Sequence, residues 1–170
     1  MTRYFLDTEF DEDGRTIELI SIGVVCEDGR TFYAVSTEFD PRHCNDWVRS
    51  NVLPQLPPRG GSLWVPRQLI ATELAKFIRP DPEVEIWTYY GDYDWVVTCQ
   101  LFGPMIKLPE HFPQLALDLK QWALQQGVRQ SAKEVVPQVN GEHNALEDAR
   151  WNWRLYDYLS ERERLQAKAR

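Results

Sequence analysis

The sequence predicts an α/β domain built on a mixed five-stranded sheet flanked by helices. Two observations carry this. Three strand-like segments joined by short turns come first and specify an antiparallel meander. Helical and strand-like segments then alternate to the end of the chain, which extends the sheet and covers it. At 170 residues, 43% hydrophobic and 26% charged, the chain has the size and composition of one globular domain, residues 1–170.

The first strand is the apolar run Arg3 to Asp7, which ends in acids; the second is Thr16 to Cys26 (TIELISIGVVC), β-branched and long enough to be buried. Glu27-Asp28-Gly29-Arg30 supplies turn chemistry before the third strand, Thr31 to Ser36. From Asp40 to Pro66 the character changes to a proline-rich connection containing Gly60-Gly61, with a short helix over Asp46 to Leu53. A connection this long is usually functional or interfacial, and its Trp47, Leu53, Leu56, Leu63 and Trp64 are expected to pack on a second copy of the chain.

Pro66 suits the first turn of a helix reaching Arg79, with Leu69, Ile70, Leu74, Phe77 and Ile78 on one face and Pro80 and Pro82 as its stop. Val84 to Tyr90 is the fourth strand, Asp92 to Phe102 a helix ended by Gly103-Pro104, and Leu115 to Leu119 the fifth strand. A helix over Leu119 to Gln126 is closed by Gly127. The last helix runs from Asn144 to Leu159 with Leu146, Ala149, Trp153 and Tyr156 as its core stripe; residues 160–170 form a charged tail, a solvated or frayed helical end.

No run approaches a membrane span, and Met1-Thr2-Arg3 leads into a strand without the apolar region of a signal peptide, so a cytoplasmic location is expected. Cys26, Cys44 and Cys99 lack C-x-x-C spacing and are expected to be reduced and structural. A net charge of −7 argues against binding a polyanion, unless acids are gathered around cations. Four carboxylates with two divalent ions form a neutral unit, so overall charge decides little.

Asp7-Thr8-Glu9 puts two carboxylates on one side of an extended chain. About one D-x-E is expected by chance in this composition, and Asp81-Pro82-Glu83 is a second instance, read as a solvated proline turn. His143-x4-Asp148 is sharper, with roughly 0.2 chance matches expected. Asn144 alone would cap the last helix, which leaves His143 and Asp148 surplus to that task. A third acidic centre is Tyr90-Gly91-Asp92-Tyr93-Asp94, just after a strand; Asp92 suits a helix cap, and Asp94 needs another reason.

The motifs DTEFD, YYGDYDW and HNALEDA, in that order, resemble the DEDDh family of 3′→5′ exonucleases on the ribonuclease H-like fold, across residues 7 to 149. Matching Gly91 and Tyr93 to the small and aromatic positions of the family's middle motif selects Asp94 over Asp92. The resemblance implies that Asp7, Glu9, Asp94 and Asp148 bind two Mg²⁺ ions, with Mn²⁺ as a substitute, and that His143 is the general base. Hard oxygen donors without a cysteine suit Mg²⁺ better than Zn²⁺. The resemblance also places the Thr8 backbone and the Phe10 ring at the terminal nucleotide, although Phe10 could equally be a core aromatic. Trp47, beside Arg42 and Arg49, is a candidate contact for RNA or a partner subunit.

The implied activity is 3′→5′ hydrolysis of single-stranded RNA or a 3′ overhang to nucleoside 5′-monophosphates, by a homodimer as in stand-alone members of the resembled family. A DNA-directed, proofreading-like exonuclease is the alternative within the enzyme class. A catalytically silent RNA-binding module on the same fold is the alternative outside it, and the presence of all five motif residues speaks against it.

Overall fold

The computed structural model describes residues 1–79, 83–129, 131–138 and 141–169; Pro80, Asp81 and Pro82, and with them the expected helix stop and second D-x-E, lie outside the described residues. The expected meander is present as β1 (Thr2–Glu12), β2 (Ile17–Cys26) and β3 (Thr31–Ser36). β5 (Val84–Thr88) and β6 (Leu117–Asp118) add in parallel beyond β1. A sixth strand corrects the expected count: β4 (Trp64–Val65) pairs in parallel with β3, giving the order β4-β3-β2-β1-β5-β6. Two residues are too few to show a period-two pattern, so only the edge of β3 reveals this strand.

β1 also continues past Asp7, where the sequence suggested an end. Its antiparallel partner pairs with it as far as Glu12↔Ile17, whereas the parallel β5 leaves after Phe5↔Trp87. Asp7 and Glu9 therefore stand just beyond the carboxyl end of the parallel part of the sheet, where α/β sheets place their ligands.

The helices are α1 (Asp46–Asn51), α2 (Arg67–Phe77), α3 (Asp92–Gln100), α4 (Leu119–Gln125), α5 (Ala132–Val135) and α6 (Ala145–Lys168). α5 has no counterpart in the sequence reading, and α6 runs on through most of the charged tail as a largely exposed helix.

One face of the sheet carries Tyr4 and Leu6 of β1 with Leu19, Ile22 and Val24 of β2, packed against Ile70 and Leu74 of α2 and Val97 of α3. Leu69, expected on that helix face, is exposed. On the other face α6 lies over Phe5, Val25 and Trp87, with the Trp153 ring stacked on Phe5 at 5.9 Å. α6 buries more than the single stripe expected of it. Leu146, Trp153 and Tyr156 pack toward the sheet, while Trp151, Leu155 and Leu159 pack against Leu119 and Ala123 of α4, because the helix is enclosed on two sides.

The 40–66 connection departs most from expectation. Its Cys44, Val48 and Val52 are buried with the preceding Phe39 against Ile20 and Val35, flanked by Leu53, Leu56 and Trp64, so the segment packs on its own sheet and needs no second copy to cover these residues. Trp47 and Leu63 stay exposed.

Candidate active site

Asp7 and Glu9 share the α6 side of β1, and their partners across β2 are Gly23 and Ser21. A Cβ on Gly23 would lie 2.3 Å from the backbone carbonyl of Ala145. Only glycine lets the first turn of α6 rest directly on the strand beside Asp7. Asn144 caps that turn, accepting from the N–H groups of Leu146 and Glu147 at 3.1 and 3.3 Å. Asp148, one turn in, accepts from the backbone N–H of His143 at 2.9 Å and from Gln138 Nε2 at 2.5 Å. His143 itself takes a left-handed backbone, φ +66°, uncommon for a residue with a side chain. The edge of its ring contact is set by Trp47 of α1, centroids 4.8 Å apart and planes at 80°.

The middle motif is shaped by a second close approach. A Cβ on Gly91 would fall 1.7 Å from Thr88 Oγ1, and the Gly91 N–H donates to Asp118 Oδ2 at 2.9 Å. The turn caps α3 with Gly91, leaves Asp92 exposed and turns Asp94 inward to 6% exposure. Thr8 donates both its backbone N–H and its hydroxyl to Asp94 Oδ1, at 2.8 and 2.5 Å. That engages the Thr8 N–H and hydroxyl, and makes Thr8 the support of Asp94.

All five motif residues line one cleft of about 550 Å³. Phe10 lines it too, with one ring face stacked on Tyr93 at 5.6 Å and 8°. Sequence reasoning missed Gly23, Lys133, Gln138 and Asn152. An isolated glycine in a β-branched strand signals close approach, and Asn152 follows Asp148 by one helical turn, so both were recoverable. Lys133 and Gln138 carry no local signal. A larger cavity of about 760 Å³ lies on the 37–64 segment, where Asp40 is paired with Arg42 and no acids gather; chemistry rather than volume identifies the site.

Burial and mutual repulsion act together on the acids. Asp7 is pushed well above the usual carboxylate range by burial, then by Asp94, Glu9 and Asp148. Glu9 is raised to about 8 by burial and then by Asp148 and Asp94. Burial raises Asp94 to about 6 against the two Thr8 hydrogen bonds, and raises Asp148 against Gln138 and Lys133. Such a cluster cannot ionise fully by itself. Carboxylate oxygens of Asp7, Glu9 and Asp148 lie within 4.8 Å of one another. Asn152 Oδ1, in a cleft residue only 1% exposed, has no hydrogen-bond partner. Converging hard oxygens with an unsatisfied carbonyl beside them fit a divalent cation of the Mg²⁺ class.

Residues 2–160 match the family profile of the 3'-5' exoribonuclease Rv2179c-like domain. The chain is 48% identical over 160 residues to the 3'-5' exoribonuclease Rv2179c of Mycobacterium tuberculosis H37Rv, covering 93% of each chain, and equally to the 3'-5' exoribonuclease MT2234.1 of strain CDC 1551. Among solved structures, 92% of the chain superposes on 82% of S. pombe Pop2p in its Mg²⁺- and Mn²⁺-bound form, with a TM-score of 0.67 and 13% identity. It superposes on 42% of exonuclease I with a TM-score of 0.60 and 14% identity. These two likenesses confirm the ribonuclease H-like exonuclease fold.

Proposed function

The chain belongs to the 3'-5' exoribonuclease Rv2179c-like family, and on that premise we propose that it is a metal-dependent 3′→5′ exoribonuclease that releases nucleoside 5′-monophosphates. The observation that carries the chemistry is the convergence of Asp7, Glu9 and Asp148 within 4.8 Å, in a cleft shared with Asp94 and His143. Asp7, Glu9, Asp94 and Asp148 would hold two divalent cations, which supply Lewis-acid stabilisation of charge on the attacking and leaving oxygens of an in-line displacement.

This chain's own residues do the rest. His143 accepts the proton of the attacking water, its backbone held by the bond to Asp148 and its ring flanked by Trp47. Thr8 fixes Asp94 through two hydrogen bonds. The Phe10 ring, backed by Tyr93, offers a platform for the terminal base, a contact tolerant of base identity. Action in the cytoplasm and as a homodimer belongs to the same reading; no described helix is long and apolar enough to cross a membrane.

The test is hydrolysis of 5′-labelled RNA and DNA of one sequence with Mg²⁺ or EDTA. The reading expects a ladder shortening from the 3′ end of RNA, 5′-monophosphate products and no reaction in EDTA. A preference for DNA would change the substrate, and cleavage undiminished in EDTA would remove the metal chemistry. Sedimentation at micromolar concentration tests the dimer.

A further inference from the structure

Filled with metal, the acid cluster would pose a charge problem. Four carboxylates with two divalent cations would sum to zero, so the metal centre would give a polyanion no net attraction, and the rest of the chain would still carry −3, from −7 + 4. Among the described residues, the basic side chains lining the cleft are Lys120 and Lys133. Lys120 lies over the Tyr90 ring, 5.7 Å from its centroid. Lys133 is the one whose charge bears on Asp7, Glu9 and Asp148, drawing all three downward against burial.

Lys133 is also held in place. Its neighbour Ala132 is buried with Val128, Leu119 and Trp151, which fixes the short α5 against α6. Its ammonium sits 5.8 Å from the centroid of the Trp151 ring and pairs with the carboxylate of Glu142, the residue before His143. The two side chains are 38% and 55% exposed, so the pair is open to solvent and contributes little to stability. A lysine placed at the cleft by a helix anchored through the buried Ala132, with a solvent-open ion pair as its charged partner, is positioned for a ligand.

We propose that Lys133 is a substrate-binding residue whose ammonium group contacts a phosphate at the 3′ end of RNA, and that Glu142 competes with that phosphate for it. This rests on the exoribonuclease reading and adds to it the cation that engages the polyanion. Phosphate replaces Glu142 as the charge-assisted acceptor, so removing the lysine and removing its competitor have opposite effects.

The experiment is fluorescence anisotropy of a 5′-fluorescein-labelled single-stranded oligoadenylate, in Ca²⁺ in place of Mg²⁺, over a series of NaCl concentrations. Lys133→Met is expected to weaken binding roughly tenfold and to make the slope of log affinity against log salt shallower by about 0.7. Lys133→Arg should keep the wild-type slope, and Glu142→Gln should bind more tightly than wild type. Wild-type affinity and slope in Lys133→Met would overturn the proposal, as would a loss in Glu142→Gln equal to that in Lys133→Met, which would make the pair structural. Wild-type protein that neither binds RNA here nor cuts it in Mg²⁺ would overturn the exoribonuclease reading and this inference together; active wild type with an unaffected Lys133→Met overturns the inference alone.

Discussion

The two faces of β1 are built to opposite physical demands. Tyr4 and Leu6 point into a hydrophobic cluster and are 0% exposed. On the other side Phe5 is equally buried, yet the next two positions on that side are Asp7 and Glu9, whose ionised forms are disfavoured by burial and by each other. Tyr4 and Leu6 lower the free energy of folding, while Asp7 and Glu9, beyond the equally buried Phe5, raise it at a place where charge is useful. The difference teaches that a two-residue alternation suffices to separate stability from chemistry, provided the stabilising face is complete.

The largest expected effect falls on the acid face. Asp7→Asn or Asp148→Asn should lower Mg²⁺-dependent hydrolysis by roughly 10³-fold or more, several kcal/mol of transition-state stabilisation, while the melting temperature of the metal-free protein rises because one repelling carboxylate is gone. Full activity in purified Asp148→Asn would break the contrast. An active Asp94→Ala beside a dead Asp92→Ala would move the middle acid. Next comes His143→Ala, expected to keep RNA and metal binding and to lose about 10²–10⁴-fold in single-turnover rate, the worth of a positioned base. Loss of metal affinity as severe as in Asp148→Asn would make His143 a ligand.

Leu6→Ala, on the apolar face, should instead cost about 2–5 kcal/mol of stability in denaturant unfolding, with activity per folded molecule retained. Gly23→Ala sharpens the comparison because it lies on the acid face and acts sterically. The added methyl meets the Ala145 backbone at 2.3 Å, so about 1–3 kcal/mol should be lost, together with activity, as the turn carrying Asp148 is displaced. Unchanged activity would mean that α6 yields without moving the acid.

A last expected effect, on the metal-free protein alone, is a pH dependence. Carboxyls whose folded pKa stands above the unfolded value hold their protons longer in the folded state. The metal-free protein should therefore be at its most stable, as far as these groups are concerned, below about pH 4, and should lose stability as pH rises through the Glu9 value of about 8. Melting scans in EDTA should fall across this range, and Mg²⁺ should raise the midpoint more at pH 8 than at pH 5, because bound metal keeps the carboxylates ionised. A flat profile in EDTA would show that the cluster is well solvated.

What the sequence by itself determined is whatever depends on near neighbours: the three-strand meander, the Asn144 cap, and the Asp7–Glu9 and His143–Asp148 pairs that line one cleft; the choice of Asp94 over Asp92 came instead from the resemblance of its motif to the exonuclease family's. The meander, the cap and the two pairs each have a local cause in periodicity, capping geometry or residue chemistry. Only the tertiary structure decided the rest. The two-residue β4 exists because the edge of β3 is there to pair with it. The 40–66 segment looks unpartnered in one dimension because its partners, Ile20 and Val35, lie outside it on two strands of the sheet. Thr8 turned out to hold Asp94, 86 residues away, and Lys133 joined the acids through a helix too short to leave a periodic trace. Contacts between distant parts of the chain depend on how the layers stack, and no window of neighbouring residues encodes that.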